Sequence, residues 1–535
     1  MKFYRILFIL TTSLLQSSAY VSSGLPAHTH QKWLEQLTID ICESNPGEMT
    51  PEMFESTSQV LQAWAQNPFL NGPQSNKARN AVGNYLKPSQ TKDSHGIQCA
   101  LAVEKILKRI VDERNAGNEN ACPTTAFYNA ALQVWAMAAS DDEKGAAAER
   151  AEQILINMQA MYEEGDILVQ PDTQSFYNVI LAWSLSREKY APQRALQVLN
   201  WMIQLYETNV NNLALPDEEC FTTVLNMVCK SGTKKAGKEA EEVFTSMEKF
   251  FPESITTQHF NLVLDAWKTT NSAEAARRSE DILNYMQILT EANVPNVRPN
   301  LYTYSIVIQT LSKSRYKSCP KRATAMLKRL ETDYENGDVT LPPDNIIYNI
   351  VLDKWAKSGD VNAAQQARKI LRRMAKFSES RDIIKCRPDV YSYTSVISAC
   401  AQTQGSRQQR LHSYHIARET FDELLQRKNE NLYPSHVTYG TMLKACAFLL
   451  PKHEEYRENE VRDIFSRCVD DGQVGDMVVS RLRQAGCANL FHELLEGHAK
   501  TNLPKEWTRN VKEKRTSPYV INKKRPLESL PNLLP

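Results

Sequence analysis

Apolar residues along this chain recur at helical spacing, and one arrangement of them keeps returning. Tyr128 to Trp135, Phe260 to Trp267 and Tyr348 to Trp355 each open on an aromatic residue, run through aliphatics and close on Trp seven positions later. Seven residues are close to two α-helical turns, so the aromatic, the aliphatics and the Trp form one apolar stripe. Aligning on the aromatic gives Tyr128, Phe176, Phe221, Phe260, Tyr304, Tyr348, Tyr393 and Tyr439, with a degenerate earlier copy around Thr57 that keeps Ala63-Trp64. The spacing is 48 (176 minus 128), then 45, 39, 44, 44, 45 and 46, and the first gap is longer because it holds an insertion. The position seven after the aromatic carries five of the eight Trp residues of the chain, which predicts one repeated core site.

Each copy has a second apolar helix. In the stretch Asn362 to Met374, residues Ala363, Ala367, Ile370, Leu371 and Met374 share one face, and comparable stretches are 148–161, 195–205, 236–250, 275–289, 323–334 and 416–425. A hairpin of this size cannot bury its own apolar face, so neighbouring hairpins must stack. The predicted fold is all-α: an α-solenoid, or superhelix, of helix-turn-helix hairpins. The connections end in Pro and a polar residue: Pro171-Asp172, Pro216-Asp217, Pro299-Asn300, Pro343-Asp344, Pro388-Asp389 and Pro434-Ser435. Helix punctuation accounts for these types, since Pro favours an extended entry and Asp, Asn or Ser caps free backbone donors.

The hairpin, the Tyr-Asn opening of its first helix, the internal turn Lys357-Ser358-Gly359-Asp360 and the Pro-Asp closing together resemble the pentatricopeptide repeat family over roughly residues 54–470. The repeats here run longer than the family's 35 residues, as in a long-repeat variant resembling those of algae with complex plastids. The resemblance implies binding of single-stranded RNA, one nucleotide per repeat, read by the residue after the aromatic and the last residue before the next repeat. The implied base-reading pairs are Asn129 with Asp172, Asn261 with Asn300, Ser305 with Asp344, and Asn349 with Asp389. Short amide, hydroxyl and carboxylate groups suit the Watson–Crick edge of an unstacked base. By the family's code Asn-Asp favours uracil, Asn-Asn a pyrimidine, and Ser-Asp leans towards guanine. Tyr177 with Asp217, Thr222 with Thr256, Thr394 with Ser435 and the Gly440 position depart from familiar combinations.

One turn before each reading residue lie Ala126, Gln174, Glu219, Gln258, Tyr302, Ile346, Tyr391 and Val437, placed to flank a base. Tyr302 and Tyr391 carry rings that stack on a base; a place among partly buried solenoid aromatics accounts for them equally. Eight residues after the reading position come Lys230, Lys313 and Lys357, within reach of phosphate. Solvated Lys residues near a helix C-terminus are the other reading.

Composition adds little to a nucleic-acid signature, because 63 basic against 62 acidic residues leave a net charge of +1. Residues 471–499 read as a helical cap. From 500 to 535 nine Lys or Arg face three Glu, with Pro504, Pro518, Pro526, Pro531 and Pro535 interrupting helix, so this basic tail is expected to be extended. No catalytic residues, metal ligands or cofactor are expected. The 11 cysteines include no Cys-x-x-Cys pair, so His453-Glu454-Glu455 lacks the partners of a zinc deaminase site. Several cysteines fall at packed helix positions, which suits a reducing interior.

At the N-terminus Lys2 and Arg5 precede the apolar run Ile6 to Leu15 and the small-residue site Ser17-Ser18-Ala19. The run is too short for a membrane span, and residues 1–19 read as a signal peptide. Residues 20–34 contain hydroxyl residues and Lys32 but no acid before Glu35, as in a transit segment. The two parts resemble the presequence of a complex-plastid alga, with the mitochondrion as the alternative address. Residues 71–96, with Asn71-Gly72-Pro73 and Lys87-Pro88-Ser89, read as a flexible insertion. The expected function is organellar single-stranded RNA binding in RNA processing, stabilisation or translation, with RNA-processing or ribosomal proteins as further partners. The rival is a helical-repeat protein-binding scaffold for an organellar assembly; recurrence of Asn or Ser with Asp or Asn at matched positions favours RNA.

Overall fold

The computed structural model describes residues 95–511, apart from 119–120, 141, 143–144, 271, 273, 428–431, 453–454, 487, 496–497 and 499–502. The presequence, the copy around Trp64, all but the last two residues of the 71–96 insertion and the tail beyond 511 lie outside the described residues. Every regular element among the described residues is helical. The chain divides after Ile255 into two compact units, each an all-α solenoid segment of stacked hairpins.

The first unit comprises α1 (His95–Asn115), α2 (Thr125–Ala138), α3 (Ala146–Glu163), α4 (Thr173–Leu185), α5 (Ala191–Glu207), α6 (Glu218–Ser231) and α7 (Ala236–Phe250). Helices α2, α4 and α6 are the first helices of successive hairpins and pack in that order against one another. The Trp position is core as the pattern predicts, with Trp135 and Trp183 1% and 0% exposed and Val228 taking the same place in α6. The hairpin formed by α6 and α7 turns at Gly232, whose φ of 63° closes α6 in the left-handed region that glycine adopts without strain.

The second unit repeats the plan with α8 (Thr257–Thr270), α9 (Ala275–Glu291), α10 (Leu301–Lys313), α11 (Cys319–Glu335), α12 (Asn345–Ala356), α13 (Ala363–Arg381), α14 (Val390–Ala401), α15 (Arg407–Gln426), α16 (His436–Leu449) and α17 (Glu455–Asp470). The long α13 absorbs much of the extra repeat length, running to Arg381 before a 3-10 turn at Ile384–Cys386. Trp267, Trp355, Leu311, Cys400 and Cys446 occupy the buried position in turn. The repeated aromatic is often Tyr because its hydroxyl meets a carboxylate. Tyr348 donates to Glu331, Tyr393 to Glu423 at 2.9 Å and Tyr439 to Asp471 at 2.6 Å. Burial first, and then these carboxylates, push the phenols of Tyr348 and Tyr393 well above the ordinary value.

After α17 the helices α18 (Asp476–Ala485) and α19 (Ala488–Leu494) close the unit, with α18 packed on α16. The start of the basic tail is not extended. Pro504 opens α20 (Lys505–Thr508), the Val474 N–H donates to the Trp507 carbonyl at 2.8 Å, and Asn510 N–H donates to Gly472 at 2.9 Å. Trp507 then stacks edge-on against Phe465, 5.9 Å between centroids, so buried aromatic area fixes what Pro content alone suggested was free.

Candidate nucleic-acid interface

The connection between hairpins places an N-cap residue beside the preceding first helix. Asp172 caps α4 by accepting from the Ser175 N–H at 2.9 Å, and the Ser175 hydroxyl accepts from the Asp172 N–H at 3.1 Å, a closed capping box. This box touches α2. The Asn129 amide nitrogen donates to Asp172 Oδ1 at 3.0 Å, while the Asn129 amide oxygen accepts from the Ser175 hydroxyl at 2.6 Å. Two residues paired by position alone are thus joined by hydrogen bonds.

The second unit contains the same arrangement between α12 and α14. Asn349 Nδ2 donates to Asp389 Oδ1 at 3.2 Å, and its Oδ1 accepts from Ser392 at 2.7 Å. Asn345 Nδ2 also donates to Asp389 Oδ2 at 3.2 Å. Between α8 and α10, Asn261 Oδ1 accepts from the Thr303 hydroxyl at 2.8 Å, and Thr303 is capped by Asn300 at 3.0 Å. Ser305 and Asp344 behave differently. The Ser305 hydroxyl donates back to the Leu301 carbonyl at 2.8 Å, and Asp344 caps the Ile347 N–H at 2.9 Å.

Burial separates these residues. Asn129 and Asp172 are half-buried and Asn300 is exposed, whereas Asn261 and Asn349 are 8% and 2% exposed. In the Asn349 pair the carboxylate of Asp389 is the more accessible partner. Outside the familiar pairs, Thr394 and Thr438 share a hydroxyl hydrogen bond of 2.8 Å. The Tyr177 phenol is held above its ordinary value by burial and by neighbouring Glu219. Gly440 is buried, and a Cβ there would meet Met477 Cγ of α18 at 3.1 Å.

The position one turn before the reading residue is exposed in every described repeat. In the first unit it holds Ala126, Gln174 and Glu219; in the second it holds Gln258, Tyr302, Ile346, Tyr391 and Val437. Tyr302 is 52% exposed, with its hydroxyl tied to Asp265 Oδ2 at 2.7 Å, and Ile346, Tyr391 and Val437 are likewise open. Successive first helices of the second unit pack side by side, so equal register sets these side chains in a row, apolar from Tyr302 onward. Two of the three Lys residues reach protein partners. Lys313 donates to the Lys268 carbonyl at the end of α8 at 3.4 Å, Lys357 pairs with Asp353 at 2.6 Å, and Lys230 is exposed in the last turn of α6.

Sequence reasoning passed over two groups. Ser175, Thr303 and Ser392, all fully buried, hold the Asn amides; their signal was the hydroxyl three residues after the capping Asp or Asn. Lys354, whose ammonium is made less basic by burial, donates to the Ser314 carbonyl just past α10.

Residues 379–447 match the family model described as pentatricopeptide repeat domain. Among solved structures the chain is similar to the pentatricopeptide repeat protein PPR10 in complex with an 18-nt psaJ RNA element, at 18% identity and a TM-score of 0.34. A cysteine-to-serine form of that protein with the same RNA element gives the same values. The match covers 90% of this chain and 62% of that one, so the chain spans less than two thirds of its length. No curated protein matches the chain.

Proposed function

We propose that this chain, which carries the pentatricopeptide repeat, binds single-stranded RNA with one nucleotide addressed by each hairpin. The observation that carries this reading is the Asn–Asp pair, joined by hydrogen bonds between Asn129 and Asp172 and again between Asn349 and Asp389. A groove for a peptide has no need of one polar pair repeated at matched positions. The row of Tyr302, Ile346, Tyr391 and Val437 supplies apolar surface for bases to lie against, and base-aromatic stacking tolerates any base. Discrimination then falls to the polar pairs.

Binding without chemistry of its own acts by occupancy. In this reading the protein shields a transcript segment from exonucleases, exposes a translation start or recruits a processing enzyme. The N-terminal sequence supports an organelle, with a signal-like segment at 1–19 and an acid-free stretch before Glu35 that fit a complex plastid. Crosslinking the protein in cells and sequencing the attached RNA tests the proposal: a few organellar transcripts are expected. Recovery of no RNA above background, together with a stable protein partner, would overturn it in favour of a scaffold.

A further inference from the structure

The residue at the third position of the following first helix varies with the reading residue. Asn129, Asn261 and Asn349 are each followed, in the next hairpin, by Ser175, Thr303 and Ser392. Where the reading residue is Tyr177, Thr222 or Ser305, the same position holds Cys220, His259 or Ile347, and Thr394, which also carries a hydrogen-bonding group, is followed by Thr438 and meets its hydroxyl at 2.8 Å. Helix capping alone does not require this match. His259 and Asp344 show capping proceeding without it: His259 Nδ1 accepts from the Thr256 N–H at 3.2 Å, and Asp344 caps with Ile347 three residues on.

Chemistry explains the match. A carboxylate accepts only, so in the Asn349–Asp389 pair the amide nitrogen must face Asp389 and the amide oxygen must face away. That oxygen is buried, and a buried acceptor needs a donor. Ser392 is the donor at 2.7 Å; its own oxygen accepts from the Asp389 N–H at 3.2 Å, and of the two acceptors in reach of its proton the amide oxygen is nearer than Asp389 Oδ1, which lies at 2.9 Å. The hydroxyl therefore locks the amide against a flip that would exchange donor for acceptor. A base meets the two edges of an amide as opposite instructions, so the lock decides which base is accepted.

We propose that Ser175, Thr303 and Ser392 are positioning residues that set base preference by fixing the orientation of Asn129, Asn261 and Asn349. The inference rests on the RNA-binding reading and adds a third member to each reading pair. It is tested on the full chain with RNA selected from a randomised single-stranded pool, the Asn349 nucleotide being the one whose preference changes in Asn349→Thr. Ser392→Ala is expected to lower discrimination at that nucleotide by roughly tenfold, the effect of one hydrogen bond, with little loss of affinity for the rest of the site. Ser392→Thr restores discrimination. Gln409→Ala, which removes the capping box of α15 and leaves the reading residues alone, lowers thermal stability without moving base preference.

A second measurement needs no RNA. The Tm losses of Asn349→Ala and Ser392→Ala are expected to be less than additive in the double variant. Wild-type discrimination in Ser392→Ala, or additive Tm losses, overturns the positioning role and leaves RNA binding standing. Failure of the wild type to bind any RNA overturns the RNA reading and this inference with it.

Discussion

The side chains of Asn129 and Asp172 meet at 3.0 Å although they stand 43 positions apart in the chain. The contact exists because the hairpin returns the chain to the N-terminus of the next first helix, where Asp172 is both cap and neighbour. Asn349 and Asp389 repeat it, which makes the pair a property of the repeat. Changing Asn349 to Thr shortens the side chain and removes the amide. The expected result is a changed base preference at one nucleotide with the others kept, measured by reselecting RNA on the variant.

Core and surface aromatics should separate stability from binding. Trp355 is 1% exposed while Tyr391, one hairpin on, is 36% exposed. Trp355→Ala is expected to cost about 3–5 kcal/mol of stability through lost burial and cavity formation. Tyr391→Ala is expected to cost about 1 kcal/mol of stability, well below the Trp355 loss, yet weaken RNA binding by about 1–3 kcal/mol. Denaturant melts and equilibrium binding on the two variants check this.

Much of this was legible in the sequence, and the limits have physical causes. The seven-residue step from Tyr348 to Trp355 revealed helices and core because burial imposes a period on residue type. Pro388-Asp389 revealed a helix start because capping needs a short acceptor. That Ser392 crosses to Asn349 was hidden, since capping and amide fixation use the same residue type. The near-complete burial of Asn349 was hidden too, because a polar residue at a packed crossing looks like any polar residue in a string. The anchoring of the tail by Trp507 was hidden for a similar reason: Pro and Lys dominate the composition, while one ring against Phe465 decides the local fold.

The stability of the chain should fall in alkali. Burial, with help from nearby carboxylates, raises the phenols of Tyr304, Tyr348, Tyr393 and Tyr439 above the ordinary value of 10.0, and Tyr128 is pushed up to about 12. Below pH 10 these phenols are neutral in both states and their contribution is complete. Above it the unfolded chain ionises while the folded chain does not, so stability declines as pH rises towards the folded values, by up to about 1.4 kcal/mol per phenol per pH unit. Tm measured from about pH 8 to pH 11 should drop more steeply in the upper half, and Tyr393→Phe should reduce that drop.

Gly440 stands in α16 at the position that Asn349 holds in α12, where Met477 of α18 covers it. Installing a reader there meets a steric obstacle. Gly440→Asn is expected to destabilise by about 1–3 kcal/mol, as overpacking does. Met477→Ala in the same chain should recover part of the loss, read from the two Tm values.

The most direct measurement is equilibrium binding of the purified full chain to a randomised pool of single-stranded RNA, followed by sequencing of the bound fraction. The prediction is enrichment of uracil at the nucleotide assigned to the Asn349–Asp389 hairpin, lost when Asn349 is changed to Thr. Binding that is absent, or equal for all four bases at every nucleotide, would contradict it.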